Sequence, residues 1–419
     1  MLAALVGCSD QDPAALPGAA TSGAGASGAT AGRGWDIDVV AEVEGVERPL
    51  AAPDLTGDGA SDLVVVVPEL TEVRVLAGPI NERTAPAVLI HGVENDFGFG
   101  RTPFVGDIDG DGMTDLALGS AWEGRLYVYF GPLLQGDLST NDADLVVQGQ
   151  KANFIGTSAW VGDFDGDGNS DLVVSAPGEP EEACSGRDGT LVFLGPFEGT
   201  TLSVDDADVR LVDEDFDDCH GWFVSVADLD VDGRLDLALG SRSGEARVYF
   251  APLGPGTLTT ADADLVLGDE ETRFAEAGTA AELSGGDGID LALAWGHGNT
   301  HGVALLTGPF APGVLGEAAI TRAFVDPAAS AHEPALLAHD FDGDGERELV
   351  YTWWGSDAIR LLTGPIALAA SDLSDADASF TGVGFAGPLS AADVAGDALP
   401  ELVVQSERRV LVLRLSRTF

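Results

Sequence analysis

Asp107-Ile-Asp109-Gly-Asp111-Gly-Met113-Thr-Asp115, followed at once by the apolar run Leu116-Ala-Leu-Gly119, sets the pattern for the whole chain. Carboxylates stand at relative positions 1, 3, 5 and 9, with glycine at 6. This spacing puts hard oxygen donors on one tight loop, and Gly112 permits the sharp bend. The backbone carbonyl at position 7, on Met113, would complete a coordination shell. All donors are oxygen, with no His or Cys among them, which favours calcium over zinc.

The stretch recurs. Asp163-Phe-Asp165-Gly-Asp167-Gly-Asn169-Ser-Asp171 and Asp228-Leu-Asp230-Val-Asp232-Gly-Arg234-Leu-Asp236 keep all four carboxylates. Asp54-Leu-Thr56-Gly-Asp58-Gly-Ala60-Ser-Asp62 has a hydroxyl at position 3, and Asp340-Phe-Asp342-Gly-Asp344-Gly-Glu346-Arg-Glu348 ends in Glu. Each matches the front part of an EF-hand-type calcium loop, without the twelfth-position Glu or the exiting helix. A single such loop is ordinarily a solvated turn; five in register predict about five bound Ca²⁺ ions, held through these positions. Two further copies are degenerate. Glu282-Leu-Ser284-Gly-Gly-Asp287-Gly-Ile-Asp290 reads as having lost a residue between its glycine and its last Asp. Asp393-Val-Ala395-Gly-Asp397-Ala398-Leu-Pro-Glu401 lacks the second ligand and the bend glycine. Neither is expected to hold metal as the other five do.

The seven copies begin at 54, 107, 163, 228, 282, 340 and 393. A period near 50 residues points to one supersecondary unit repeated along a propeller or an array. The net charge of −50, from 20 basic and 70 acidic residues, repels phosphate backbones and argues against nucleic-acid binding. Five Ca²⁺ would return only about +10 of it. An apolar content of 45% with regular strand signals argues against disorder beyond about residue 35.

Residues 1–8 include Leu5-Val6-Gly7-Cys8, which resembles a bacterial lipobox and implies cleavage before Cys8 with lipid attachment to it. Only seven residues precede the cysteine, and none is basic. Residues 9–34, rich in Ala, Gly, Ser and Thr, read as a flexible tether with a reach of roughly 30 Å. The expected localisation is therefore an exported protein of the cell envelope, lipid-anchored to the outer membrane or cell surface.

From Trp35 each repeat follows one plan: a short strand, the acidic loop, and a second strand starting at the loop's last acid. A third, alternating strand such as Arg125–Tyr129 often ends in Gly-Pro, and a fourth is expected over residues 142–147 and 262–267. No segment holds a helical period. Four antiparallel strands in seven units make an all-β, seven-bladed β-propeller over residues 35–419. The chain ends after the third strand of blade 7, and a spare strand over residues 35–43 precedes the first loop. Docking that N-terminal strand on the last blade closes the ring and protects an open edge.

These residues resemble the FG-GAP repeat of integrin α-subunit propellers and their bacterial relatives. Phe97-Gly98 and Phe99-Gly100 match the first half of the motif, and Ser175-Ala176-Pro177 the second, with the aspartate loop between. The resemblance implies that calcium loops lie on one face, with second-to-third loops and blade links on the other. It thereby places Cys184 and Cys219 on the same face and blade edge, which implies a disulfide in an exported compartment. That face also collects Trp122, Trp222, Trp295, Trp353 and Trp354, either as a recognition surface or as wedges between blades. The implied function is a calcium-binding, non-catalytic binding or adhesion module for a protein or glycan, touching membrane only through its anchor. The alternatives are a polysaccharide- or lipid-active enzyme, or its accessory domain, on the same scaffold, or a purely structural envelope protein. No nucleophile elbow, zincin motif or phosphate loop is present.

Overall fold

The computed structural model describes residues 29–30 and 35–417, except 94–95, 97, 135, 151–153, 177–188, 198, 213–222, 242–243, 269–271, 275–276, 298–299, 326–333, 354–355, 357, 367–375 and 382–384. Cys8, Cys184, Cys219, Trp222 and Trp354 lie outside the described residues.

Seven sheets follow one another along the chain, and each is one blade. Blade 2 shows the plan: Phe99–Gly106, Asp115–Ser120, Arg125–Tyr129 and Leu145–Gln148, each antiparallel to the last. In every repeat the second strand begins on the ninth residue of the acidic loop: Asp62, Asp115, Asp171, Asp236, Asp290, Glu348 or Glu401. Second strands such as Asp62–Val67 are buried at every residue. Each packs against the blade on either side, so both faces must be apolar and no alternation survives. The hydrophobic clusters accordingly span pairs of adjacent blades: one joins Val64 and Val75 of blade 1 to Leu116 and Tyr127 of blade 2.

First strands pack against first strands right round the ring, from blade 1 (Glu47–Ala52) through to blade 7 (Phe385–Ala392) and back to blade 1. Closure comes from Trp35–Glu44, which pairs antiparallel with the C-terminal strand Arg409–Arg417 as the outer strand of blade 7. Trp35 is buried, and its indole Nε1 donates to Thr363 Oγ1 of blade 6 at 2.9 Å. Burying an aromatic of this size is worth about 3 kcal/mol. Ala29–Thr30, within the segment expected to be a tether, forms a short strand on the outer edge of blade 6.

The fourth strands start later than expected. Thr140–Asp142 is a 3-10 turn, and the strand proper is Leu145–Gln148; Thr260–Asp262 and Leu265–Leu267 repeat this. The reason is capping: Ser139 N–H and its hydroxyl both donate to Asp142 Oδ2 at 2.8 Å. Asp144, two residues on, accepts from the Phe130 N–H at 2.8 Å, as Asp208 does from Leu194 and Asp264 from Phe250. The acids of this segment therefore fold a corner rather than lie along a strand. Just upstream, Gly136–Ser139 leaves its own blade and pairs parallel with the outer strand of blade 1, Pro86–His91. Equivalent straps tie blade 3 to blade 2, blade 4 to blade 3, and blade 5 to blade 4. Sheets 1 to 4 thus each gain a fifth, parallel strand.

Candidate metal centres

The loop backbone is shaped by its glycines. In blade 2 Gly110 and Gly112 take φ of +81° and +87°, the left-handed region open to glycine without penalty. Two loops make the same bend with a side chain in place: Val231 in blade 4 and Ala398 in blade 7.

The expected ligands come together unequally. Carboxylate oxygens of Asp107, Asp109 and Asp115 lie within 4.8 Å of one another, as do those of Asp163, Asp165 and Asp171, of Asp228, Asp230 and Asp236, and of Asp340, Asp342 and Asp344. The first loop forms no such trio of acids, because position 3 is Thr56, whose Oγ1 sits 3.4 Å from Asp62 Oδ1. One degenerate loop does gather acids: Asp393, Asp397 and Glu401. The other, at 282–290, keeps its full nine-residue span. Asp290 accepts from the Leu283 and Ser284 N–H groups across the same separation as in intact loops, so no residue has been lost. What changed is order, with glycine at position 5 and Asp287 at 6.

The four acids of a loop do different work. The ninth is buried and binds backbone: Asp115 Oδ2 accepts from Ile108 at 2.6 Å and Asp109 at 3.3 Å, while Oδ1 accepts from Gly131 at 2.8 Å. It therefore pins the start of the loop to the Gly-Pro that ends the third strand. The fifth turns back on its own loop, as Asp111 does in accepting from Met113 N–H at 2.8 Å, and Asp58, Asp167, Asp232 and Asp344 repeat this. The first accepts from the bend glycine, at 3.0 Å from Gly112 to Asp107 Oδ2.

Backbone donors do not use up the loop oxygens. Asp107 Oδ1, Glu348 Oε1 and Glu282 Oε1 are buried without a well-formed hydrogen bond. Buried carboxylate oxygens of this kind call for a cation, and the all-oxygen donor set fits calcium. Burial raises the pKa of Asp62, Asp171, Asp236 and Glu401, pushes Asp115 up to about 6 and Glu348 up to about 7, and is only partly offset by the loop N–H groups. These six loops consequently hold charge at a cost that added positive charge would relieve. Sequence reasoning missed the protein's own cations here. Arg417, from the C-terminal strand of blade 7, reaches Asp342 at 3.4 Å and Asp344 at 3.0 Å in the blade 6 loop.

The tryptophans separate by burial. Trp295 and Trp353 are core residues, the latter edge-on to Tyr351 at 5.4 Å, so they act as wedges and not as a recognition surface. Trp122 is half-buried and tilted against Phe154 at 5.3 Å. A cavity of about 710 Å³ lies instead beside the acidic loops, between the first strands of blades 3 to 7. Trp160, His339 and Arg347 line it, with Asp228 and Asp340 at its rim. Trp160 Nε1 donates to Val224 O at 2.9 Å, which fixes the indole, and burial lowers the His339 pKa.

The FG-GAP repeat family profile matches residues 99–129 and 156–194. The chain is 29% identical over 222 residues to the phosphatidylinositol-glycan-specific phospholipase D of Rattus norvegicus, covering 46% of this chain and 26% of that protein. It is 30% identical over 183 residues to integrin alpha-IIb of Mus musculus, covering 40% of this chain and 17% of that protein. The matches thus span about a quarter or less of those relatives. Among solved structures, the WD40 domain of Toxoplasma gondii coronin superposes with a TM-score of 0.54 at 11% identity, covering 93% of this chain and 88% of that one, a likeness of fold alone. Among the described residues no helix is long and apolar enough to cross a membrane.

Proposed function

This chain carries FG-GAP repeats in a seven-bladed β-propeller, and from that premise we propose that it is an exported, calcium-stabilised binding module with no catalysis of its own. The observation that carries the reading is the convergence of carboxylate oxygens to within 4.8 Å in four of the five intact loops, with Asp107 Oδ1 buried and unpartnered in one of them, on a scaffold whose second strands all start at such loops. Calcium would be held by the first, third, fifth and ninth positions with the position 7 carbonyl, tying each loop to its blade. In the first loop Thr56 would stand in for the third acid. The partner would be a protein or glycan, with Cys8 lipid-anchored and Cys184 bridged to Cys219. Thermal unfolding in millimolar calcium and in chelator tests the metal. Each site at 100 times its Kd adds about 2.7 kcal/mol, so the chelated protein should melt well below the loaded one; equal midpoints would sink the proposal. A glycan array with and without calcium tests the partner.

A second reading, an enzyme or accessory domain acting on polysaccharide or lipid, is favoured by the cavity beside Trp160, His339 and Arg347 and by the phospholipase D relative. Turnover of glycan or glycolipid, lost in Arg347→Ala, would decide for it over the binding module.

A further inference from the structure

We infer that Arg414 is the resident cation of the seventh acidic loop, so that the blade joining the two chain ends is held without metal. The inference builds on the calcium reading of the other loops. In blades 1 to 6 the residue opposite the ninth acid, one step beyond the last paired residue of the third strand, is apolar or a threonine: Ala77, Phe130, Leu194, Phe250, Thr307 and Thr363. In blade 7, where Leu402 pairs with Leu413, it is Arg414. Strand partners directly opposite share a face, and Arg414 Nη2 duly reaches Glu401 Oε1 at 3.0 Å and Asp397 Oδ2 at 2.5 Å.

The arginine fills two vacancies that the sequence of blade 7 creates. In blades 1 to 5 the N–H after that opposite residue donates to the ninth acid, as Gly78 does to Asp62 and Gly131 to Asp115. Blade 7 has no such turn: its third strand runs on through Leu415 to Arg417, paired with Trp35–Glu44. The guanidinium replaces that donor on Glu401, whose other oxygen accepts from Ala395 N–H at 3.0 Å. It also supplies positive charge where Ala395 has removed the third-position acid. No oxygen of Asp393, Asp397 or Glu401 is among the buried atoms left without a partner, as is also true of the loops of blades 1, 3 and 4; what sets blade 7 apart is the guanidinium on its fifth and ninth acids. Arg417 differs: it touches only the third and fifth acids of blade 6 and does not reach Glu348, the ninth.

Calcium titration calorimetry on the full chain tests this, comparing wild type, Asp397→Asn and Arg414→Gln/Ala395→Asp. Asp397→Asn should bind the same number of ions as wild type, and the double variant one more per chain. Loss of one ion in Asp397→Asn, or no gain in a folded double variant, overturns the inference. If wild type binds no calcium, the proposed function fails while Arg414 remains testable. In chelator, Arg414→Gln and Asp397→Asn should then lower the melting midpoint non-additively, and additive shifts would reject the pairing.

Discussion

At the scale of single residues, the ninth acid of each loop is the most informative. Asp115 accepts three backbone N–H groups with no exposed surface. Asp115→Asn keeps one acceptor and turns an NH₂ toward an N–H, so stability in chelator should fall by roughly 3 kcal/mol, read from the denaturant midpoint. The same burial gives a pH dependence. Asp115 rises from 3.8 to about 6 and Glu348 from 4.5 to about 7, because burial disfavours the charged form. A raised value means that the folded chain holds its proton more tightly than the unfolded one. The stabilisation is complete below about pH 4 and is lost as pH climbs through 6 and 7. In chelator the melting midpoint should therefore fall between pH 5 and pH 8, and calcium should abolish the fall by pairing the ionised forms. A chelated midpoint flat across that range contradicts it.

At the scale of elements, the corner between third and fourth strands is built by acids just as the calcium-type loops are. Repeated Asp-Ala-Asp-Leu runs look like strand starts because the Leu-Val that follows is apolar. Their first acid instead caps a turn and their second binds the end of the third strand. Each corner positions a strap that crosses to the preceding blade. Asp142→Ala should thus loosen contact between blades 1 and 2, seen as faster amide exchange across Gly136–Ser139 and Pro86–His91, with the loop at 107–115 unaffected. Unchanged exchange would mean that the strap holds without its cap.

At the scale of the whole molecule, the ring is closed by the pairing of Trp35–Glu44 with Arg409–Arg417. Deleting residues 35–44 exposes Arg409–Arg417 as an open edge and removes Trp35 from the core. The truncated chain should aggregate or lose its cooperative melt; a monomer that melts like the full chain would show that closure is dispensable. A charge of −50 acts on the same scale, since mutual repulsion opposes the compact ring whenever the loops lack cations.

The sequence by itself determined the repeat, the blade number, the closing strand and the acidic loops, because all are local patterns: nine-residue turns, apolar runs and a period. Tertiary structure alone decided the rest. The parallel straps join residues of successive blades, and nothing in Gly136–Ser139 names its partner. Trp295 and Trp353 are buried by neighbours that periodicity does not specify. Arg414 meets Glu401 only because the third strand of blade 7 continues past the point where the other blades turn. Electrostatic partners thirteen residues apart are legible only after a fold has set the strand register.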